Sequence, residues 1–256
     1  MPEGHTIHRL ARDMAELVGT RVTATSPQGR VAAETVNGAT VLDVDAVGKH
    51  LLVDTSGKRT VHVHLGMRGK WLRFSPVTGE PMRQVRLRLA ADGVAWDLIA
   101  PSTCELLGPR ERDALVGRLG PDPLRADADP AEARRRIVAF RGPIGAALLD
   151  QGVVAGVGNV FRAEALHACR IAPTRRAGDL SEAELEALWS TLARMMALAV
   201  EEGRIITVDD EDRLAVPEDR ARRVYKQRSC YDCGTPIQTA EIGGRTSYSC
   251  PRCQAR

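Results

Sequence analysis

Residues 225–256, YKQRSCYDCGTPIQTAEIGGRTSYSCPRCQAR, decide how the chain must be built. The segment is too short and polar to bury a core of its own, so something other than apolar packing must hold it together. Cys230-x2-Cys233, sixteen intervening residues and Cys250-x2-Cys253 supply that element: two knuckles with the spacing of a four-thiolate zinc site. Four thiolates leave no open coordination position, so one structural Zn2+ is expected, and its binding would fold the β-hairpin between the knuckles. In that hairpin GGRTSY sets Arg245 at the tip behind two glycines, where backbone can approach a ligand closely and a guanidinium can fork onto phosphate. Just upstream, Arg220, Arg222, Arg223, Lys226 and Arg228 concentrate positive charge. A charge run is usually a solvated face, but beside a zinc ribbon with an arginine tip it points to nucleic acid.

The rest of the chain sets the bounds. Its 256 residues exceed a typical domain of roughly 100–200. With 36 basic and 33 acidic residues the net charge is +3, which by itself demands no polyanionic partner. Glu3, Arg9, Arg12, Asp13 and Glu16 break up any apolar secretory signal, and no apolar run approaches the roughly 18 residues that span a bilayer. The expectation is a cytoplasmic protein with no membrane partner, in which paired cysteines are metal ligands rather than disulfides. Cys104 and Cys169 stand alone and read as small buried residues.

From His5 to Val18, Ile7, Leu10, Ala11, Met14, Leu17 and Val18 follow the helical period, with Gly19 as a stop. Residues 20–100 change to short alternating runs (VTAT, VLDVDAV, KHLLVDT, RTVHVHL, RQVRLRL, VAWDLI), predicting a β-sandwich or barrel. Lys49 falls at a turn in VGKHLL, and Met67 and Arg68 on an exposed loop in HLGMRG. Lys49 could merely solubilise and Met67 could be core, yet an unbranched apolar wedge beside an arginine suits insertion into a base stack. His62 and His64 share a strand face without an evident third metal ligand, so packed histidines are expected. After LGPDPLRADADP the pattern becomes helical: Asp129 with Glu132 predicts a capping box over Pro130, and Ser181 with Glu184 a second. The second opens a long helix with Leu185, Leu188, Leu192, Met195 and Met196 on its core face. Between them, GPIGAALLDQGVVAGVGNVFRAEAL reads as helix, glycine-broken double turn, helix. Asn159 near the start of the second helix, with the amides and dipole there, makes a phosphate site; a tight turn with Asn159 as N-cap is the alternative.

PEG behind Met1, GKHLL, HLGM, LGPDPL, GVGNVFRAEAL and GGRTSYSCPRCQ, in that order and over almost the whole chain, resemble the formamidopyrimidine-DNA glycosylase and endonuclease VIII family of bacteria. The resemblance implies an α+β multidomain fold: an N-terminal catalytic β-sandwich with an N-terminal helix (1–120), a helix-two-turn-helix DNA-binding domain (121–222) and a C-terminal zinc finger (223–256), with DNA in the cleft between them. It also implies an activity, base excision and strand cleavage by a monomer at damaged DNA of the nucleoid. Once Met1 is removed, Pro2 would be the nucleophile and Glu3 its acid/base partner. Lys49, Asn159 and Arg245 would grip phosphates beside the lesion, Lys49 and Arg245 counting with the catalytic set. Met67, with Arg68 beside it, would fill the hole left by the flipped nucleotide.

Three departures matter. Thr6 stands where the family commonly has a second glutamate. LIAPSTCELLG lacks the Arg and Phe wedge of the purine-specific branch, so the chain resembles the endonuclease VIII branch and oxidised pyrimidines are the expected substrates. The segment resembling a base-capping loop, TVDDEDRLAVPED, carries Asp209, Asp210, Glu211 and Asp212; so acidic a loop should avoid phosphate and point into solvent or be disordered. A non-catalytic DNA-damage-binding protein of the same fold is the rival reading, but it leaves Pro2 and Glu3 without a role. A zinc-ribbon regulator unrelated to repair would leave Pro2, Lys49 and Asn159 unexplained.

Overall fold

The structure is a computed structural model that describes residues 2–77, 79–209 and 211–255. The chain divides into two compact units, Met1–Arg118 and Leu119–Arg256.

The first unit opens with α1 (Gly4–Met14), which buries Ile7, Ala11 and Met14; a 3-10 turn, Ala15–Leu17, then buries Leu17. The α-helix thus ends four residues before Val18, the last residue of the expected helical run, and Gly19, the expected stop, takes the left-handed conformation at φ 82°. Eight strands follow: β1 (Thr23–Thr25), β2 (Val41–Val47), β3 (His50–Thr55), β4 (Thr60–His64), β5 (Lys70–Phe74), β6 (Val85–Ala91), β7 (Val94–Ile99) and β8 (Thr103–Leu107). They form two antiparallel four-stranded sheets, ordered β1-β6-β7-β5 and β2-β3-β4-β8. Period-2 alternation puts Leu51 and Val53, Val61 and Val63, Leu87 and Leu89, and Trp96 and Leu98 into one shared core with α1. The N-terminal region is therefore a β-sandwich with a helix, as its alternating runs predict. Strands β5 and β8 carry no clear alternation because both lie at sheet edges, and β8 is half-exposed along much of its length. Helix α2 (Pro109–Gly117) closes the unit; its Arg112 reaches Asp54 at 3.1 Å, tying the helix to β3.

The second unit is helical up to residue 202. Asp129 caps α3 (Pro130–Ala139) by accepting from the Ala131 amide at 2.8 Å. Glu132 does not complete the expected capping box: its carboxylate pairs instead with Arg135 (2.8 Å) and Arg136 (2.7 Å), one turn further along the helix. A single turn, α4 (Ile144–Ala147), leads through the glycine-broken double turn to α5 (Asn159–Ala168). Gln151 stitches that turn, donating to Leu149 O and Val157 O and accepting from the Gly156 amide. Gly158, not Asn159, is the N-cap of α5. Ser181 and Glu184 form the predicted capping box of α6 (Glu182–Glu202), and Gly203 ends that helix at φ 73°. Leu185, Leu188, Leu192 and Met196 are buried as expected, while Met195 is half-buried. The hairpin β9 (Gln238–Ile242) and β10 (Arg245–Ser249) completes the unit. Cys230 and Cys250 are buried in the core that α5 and α6 share, with Ile237 and Tyr248 packed against it. Among the described residues no helix is long and apolar enough to cross a membrane.

Candidate functional site

Pro2 is half-buried and leads directly into α1, whose N-cap is Glu3. The Glu3 residue is fully buried although its side chain makes no capping bond, so the fold, not the helix end, is what places this carboxyl. Thr6 is bound through its amide to Glu3 O at 2.9 Å, and its hydroxyl sits 3.3 Å from His5 Nε2.

Lys49 occupies the two-residue hairpin loop between β2 and β3, made possible by Gly48 at φ 61°. Around it the histidines form a directed hydrogen-bond chain. His62 Nδ1 lies 2.8 Å from Glu105 Oε1, and His62 Nε2 lies 2.8 Å from His50 Nδ1. A carboxylate only accepts, so His62 donates from Nδ1, and with one proton on that ring its Nε2 accepts from His50 Nδ1. His64 Nδ1 meets Ser102 Oγ at 2.8 Å; that hydroxyl spends its one proton on His64 O, so His64 also donates from Nδ1. Burial first, then His62, His64, Lys49 and Arg118, hold the His50 imidazole down at about 3, so at neutral pH it adds no charge to the Lys49 turn. His62 and His64 are thus members of a packed polar network, the reading favoured over a metal site.

Met67 and Arg68 stand on the turn after β4, both exposed, Met67 at 67 %. Gly66 and Gly69 frame that turn because neither has room for a side chain: a Cβ at Gly66 would lie 2.8 Å from Ser102 Cβ, and one at Gly69 would lie 2.3 Å from Leu65 O. Met67 is thus an exposed apolar side chain on a tight turn. The stretch that would carry the family's Arg and Phe wedge is instead spent on β8, paired with β4.

In the second unit, Asn159 and Arg245 meet through one helix. Asn159 is 6 % exposed, and its Nδ2 donates to Thr246 O at 2.9 Å. Arg162, which sequence reading passed over, is fully buried: Nη1 donates to Ile242 O (2.9 Å) and Gly145 O (3.2 Å), and Nη2 donates to Thr246 O (3.0 Å) and to Asn159 Oδ1. Gly243 and Gly244, at φ 63° and 68°, make the tight turn between β9 and β10, and Arg245 follows, exposed. Glu164, also fully buried, accepts the backbone amides of Arg223 (2.9 Å), Val224 (3.0 Å) and Tyr225 (2.7 Å) and the Thr207 hydroxyl (2.5 Å). Helix α5 therefore holds the finger at its tip and at its root. The sequence signal for this was available: NVFRAEAL is apolar around an arginine and a glutamate, and buried charges must be paired.

The basic run before the finger divides. Arg222 pairs with Glu218, and Arg223 pairs with Asp209 (2.6 Å) and Asp232, so neither is an open charge. Asp209 is exposed yet anchored, its carbonyl also accepting from the Tyr231 hydroxyl at 3.0 Å. Ile206, Val208, Val216 and Ala221 form a small core beneath the acidic loop, which is folded at these positions; Asp210 lies outside the described residues.

Cys230, Cys233, Cys250 and Cys253 bring four sulfurs within 4.8 Å of one another. A zinc tetrahedron with bonds of about 2.3 Å separates its sulfurs by about 3.8 Å. Here Cys233 Sγ lies 3.5 Å from Cys250 Sγ and from Cys253 Sγ, and Cys230 Sγ lies 3.9 Å from Cys253 Sγ, so the donor set fits one Zn2+. The Thr235 hydroxyl and amide hold the Cys233 thiol down at about 6, making it a thiolate at neutral pH.

An N-terminal Pro-Glu pair on a β-sandwich, and a helical body that grips a four-cysteine finger, set out an architecture of three parts. Three family models agree: the formamidopyrimidine-DNA glycosylase N-terminal domain matches residues 1–101, the H2TH domain of the same glycosylase 119–210, and the zinc finger found in FPG and IleRS 230–256. The chain is 43 % identical to Endonuclease 8 1 of Mycobacterium tuberculosis, covering 99 % of this chain and 100 % of that one. It is 33 % identical to the formamidopyrimidine-DNA glycosylase of Methylococcus capsulatus, over 86 % and 84 % of the two chains. The crystal structure of the MutM (FPG) protein from Thermus thermophilus matches at a TM-score of 0.80 and 28 % identity, covering 99 % of each chain. The chain belongs to the formamidopyrimidine-DNA glycosylase and endonuclease VIII family.

Proposed function

We propose that the chain is a bifunctional DNA glycosylase and abasic-site lyase of base excision repair that removes oxidised pyrimidines and cleaves the strand by β,δ-elimination. The observation that carries this reading is the buried Glu3 directly behind Pro2 at the start of α1, in a family member.

The chemistry follows from the residues. Once Met1 is removed, Pro2 bears a secondary amine with a pKa near ~8 against ~10.4 for lysine, so a few hundredfold more of it is free base near neutral pH. The amine attacks C1′ of the damaged nucleotide; the C1′–N bond to the base breaks and the base leaves with a proton. Glu3 protonates the ring oxygen, the sugar opens, and nitrogen and C1′ form an iminium that cannot be neutralised by losing a proton. That permanent cation acidifies the C2′ proton. Its removal expels the 3′ phosphate, a second elimination expels the 5′ phosphate, and water releases the sugar remnant and restores the amine. Lys49 and Arg245 hold the flanking phosphates. Asn159 supports the Arg245 hairpin, and its second Nδ2 proton is available to a phosphate oxygen. Met67 occupies the vacated stack. Action as a monomer at the nucleoid is part of the proposal.

The pyrimidine preference is supported by the greater identity to an endonuclease 8 and by the absence of the purine-branch wedge. Duplexes carrying thymine glycol or 8-oxoguanine, assayed in parallel, are expected to show the thymine glycol excised at least ~10-fold faster; the reverse order would assign the chain to the purine branch. Arg245→Glu is expected to weaken binding to duplexes with and without a lesion alike and to reduce the slope of log K against log salt by about 1, read by fluorescence anisotropy. A loss confined to lesion DNA would contradict a phosphate role.

A further inference from the structure

One imidazole in the second unit is aimed at the metal centre and has no part in the chemistry above. His167, in the last turn of α5, is 2 % exposed, and its Nε2 lies 3.3 Å from Cys230 Sγ. Among the described residues its Nδ1 meets no hydrogen-bond partner. The Asp232 carboxylate stands 3.9 Å from Nε2, too far for a hydrogen bond, and is turned to Arg223. A neutral imidazole has one N–H. On Nδ1 that proton would be buried without an acceptor, and the Nε2 lone pair would face an electron-rich sulfur. On Nε2 it points at that sulfur.

The four thiolates differ in what else can stabilise them. Cys233 has the Thr235 hydroxyl at 3.2 Å, Cys250 Sγ accepts the Cys253 amide at 3.4 Å, and Cys253 is half-buried, within reach of water. Cys230 is 2 % exposed, and its other donors are the amides of Asp232 and Cys233 in its own knuckle. A four-thiolate zinc centre carries a formal charge of −2 from its ligands and metal together, and a thiolate removed from solvent needs N–H donors to carry its share of it.

We propose that His167 is an outer-sphere member of the zinc site, donating Nε2–H to the Cys230 thiolate and thereby fixing the metal centre to the same helix whose Asn159 and Arg162 hold the Arg245 hairpin. The inference rests on zinc occupying the four thiols and is independent of the Pro2 chemistry. It makes His167 a positioning residue, acting on the ion through Cys230.

Full-length zinc-loaded protein tests it with two substitutions. His167→Phe keeps the planar shape without a donor, and His167→Gln places an amide N–H close to the Nε2 position. The rate of zinc transfer to excess chelating dye is expected to rise on the order of 10- to 100-fold in H167F and to stay within about 3-fold of the parent in H167Q. Equal rates in all three proteins would overturn the proposal, and so would equal acceleration in both variants, which would make His167 a packing residue only. If H167F fails to fold, the parent protein still decides: with 113Cd in place of zinc, the 15N-labelled imidazole is expected to carry its proton on Nε2 and to show scalar coupling of that proton to the metal. A proton on Nδ1 would overturn the assignment.

Discussion

Protein that keeps Met1 is expected to bind lesion DNA within about 3-fold of the processed protein while losing base excision and strand cleavage by on the order of 10³-fold or more, the scale of effect when a nucleophile is removed. In the unprocessed chain the Pro2 nitrogen is a tertiary amide, its lone pair delocalised into the Met1 carbonyl, so it can neither attack C1′ nor become an iminium. Lys49, Met67 and Arg245, the residues proposed to contact DNA, are unchanged. Pro2→Gly separates amine from ring: a processed glycine still has a terminal amine, but its imine can lose its proton and with it the electron sink. Its expected excision loss is smaller than that of the Met1-retaining protein and still far larger than its binding loss. Proportionate loss of binding and excision in both proteins, measured by anisotropy and single-turnover cleavage, would refute Pro2 as the nucleophile.

Removing the zinc is expected to be as drastic for the second unit. Structural zinc contributes an apparent ~10–16 kcal/mol in small fingers at neutral pH, more than the total stability of many domains. Cys230 and Cys250 are not on a detachable flap: they lie in the core with Phe161, Leu166 and Val224, and Tyr248 meets Tyr225 edge-on at 5.1 Å. Chelation should therefore release β9 and β10 and disturb the segment that Glu164 holds. Amides of 238–249 are expected to exchange at near-unfolded rates in the apo protein, and DNA affinity to fall at least ~10-fold, as befits loss of several phosphate contacts. Re-addition of zinc should restore both. Retained protection of the hairpin after verified zinc removal would contradict the structural role.

Much of this was legible in the sequence because its signals are local. The CxxC pairs, the Ser181–Glu184 box and the alternation in β3, β4, β6 and β7 each specify their own structure within a few residues. What was not legible depends on partners distant in sequence. Glu132 follows Asp129 at capping-box spacing, yet two arginines one turn on compete for it and win. Strand β8 owes its conformation to β4, some forty residues earlier, and its own pattern is weak. Arg162 looks like a surface residue until the hairpin carbonyls of Ile242 and Thr246 arrive above it. Likewise His50, His62 and Glu105 become one chain only when three strands are in register. The acidic loop was expected in solvent or disorder; Asp209 is indeed exposed, but the Arg223 and Tyr231 tethers give its backbone a fixed place.

The central claim, an amine at Pro2 that forms a covalent link to the sugar, is tested most directly by borohydride trapping. Zinc-loaded, Met-processed protein is incubated with duplexes carrying one thymine glycol or one abasic site, reduced, and digested for peptide mapping. A covalent adduct on both duplexes, mapping to the peptide that begins at Pro2, is the expected result. No adduct on either duplex while tight DNA binding persists, or an adduct mapped to an internal lysine, would contradict it.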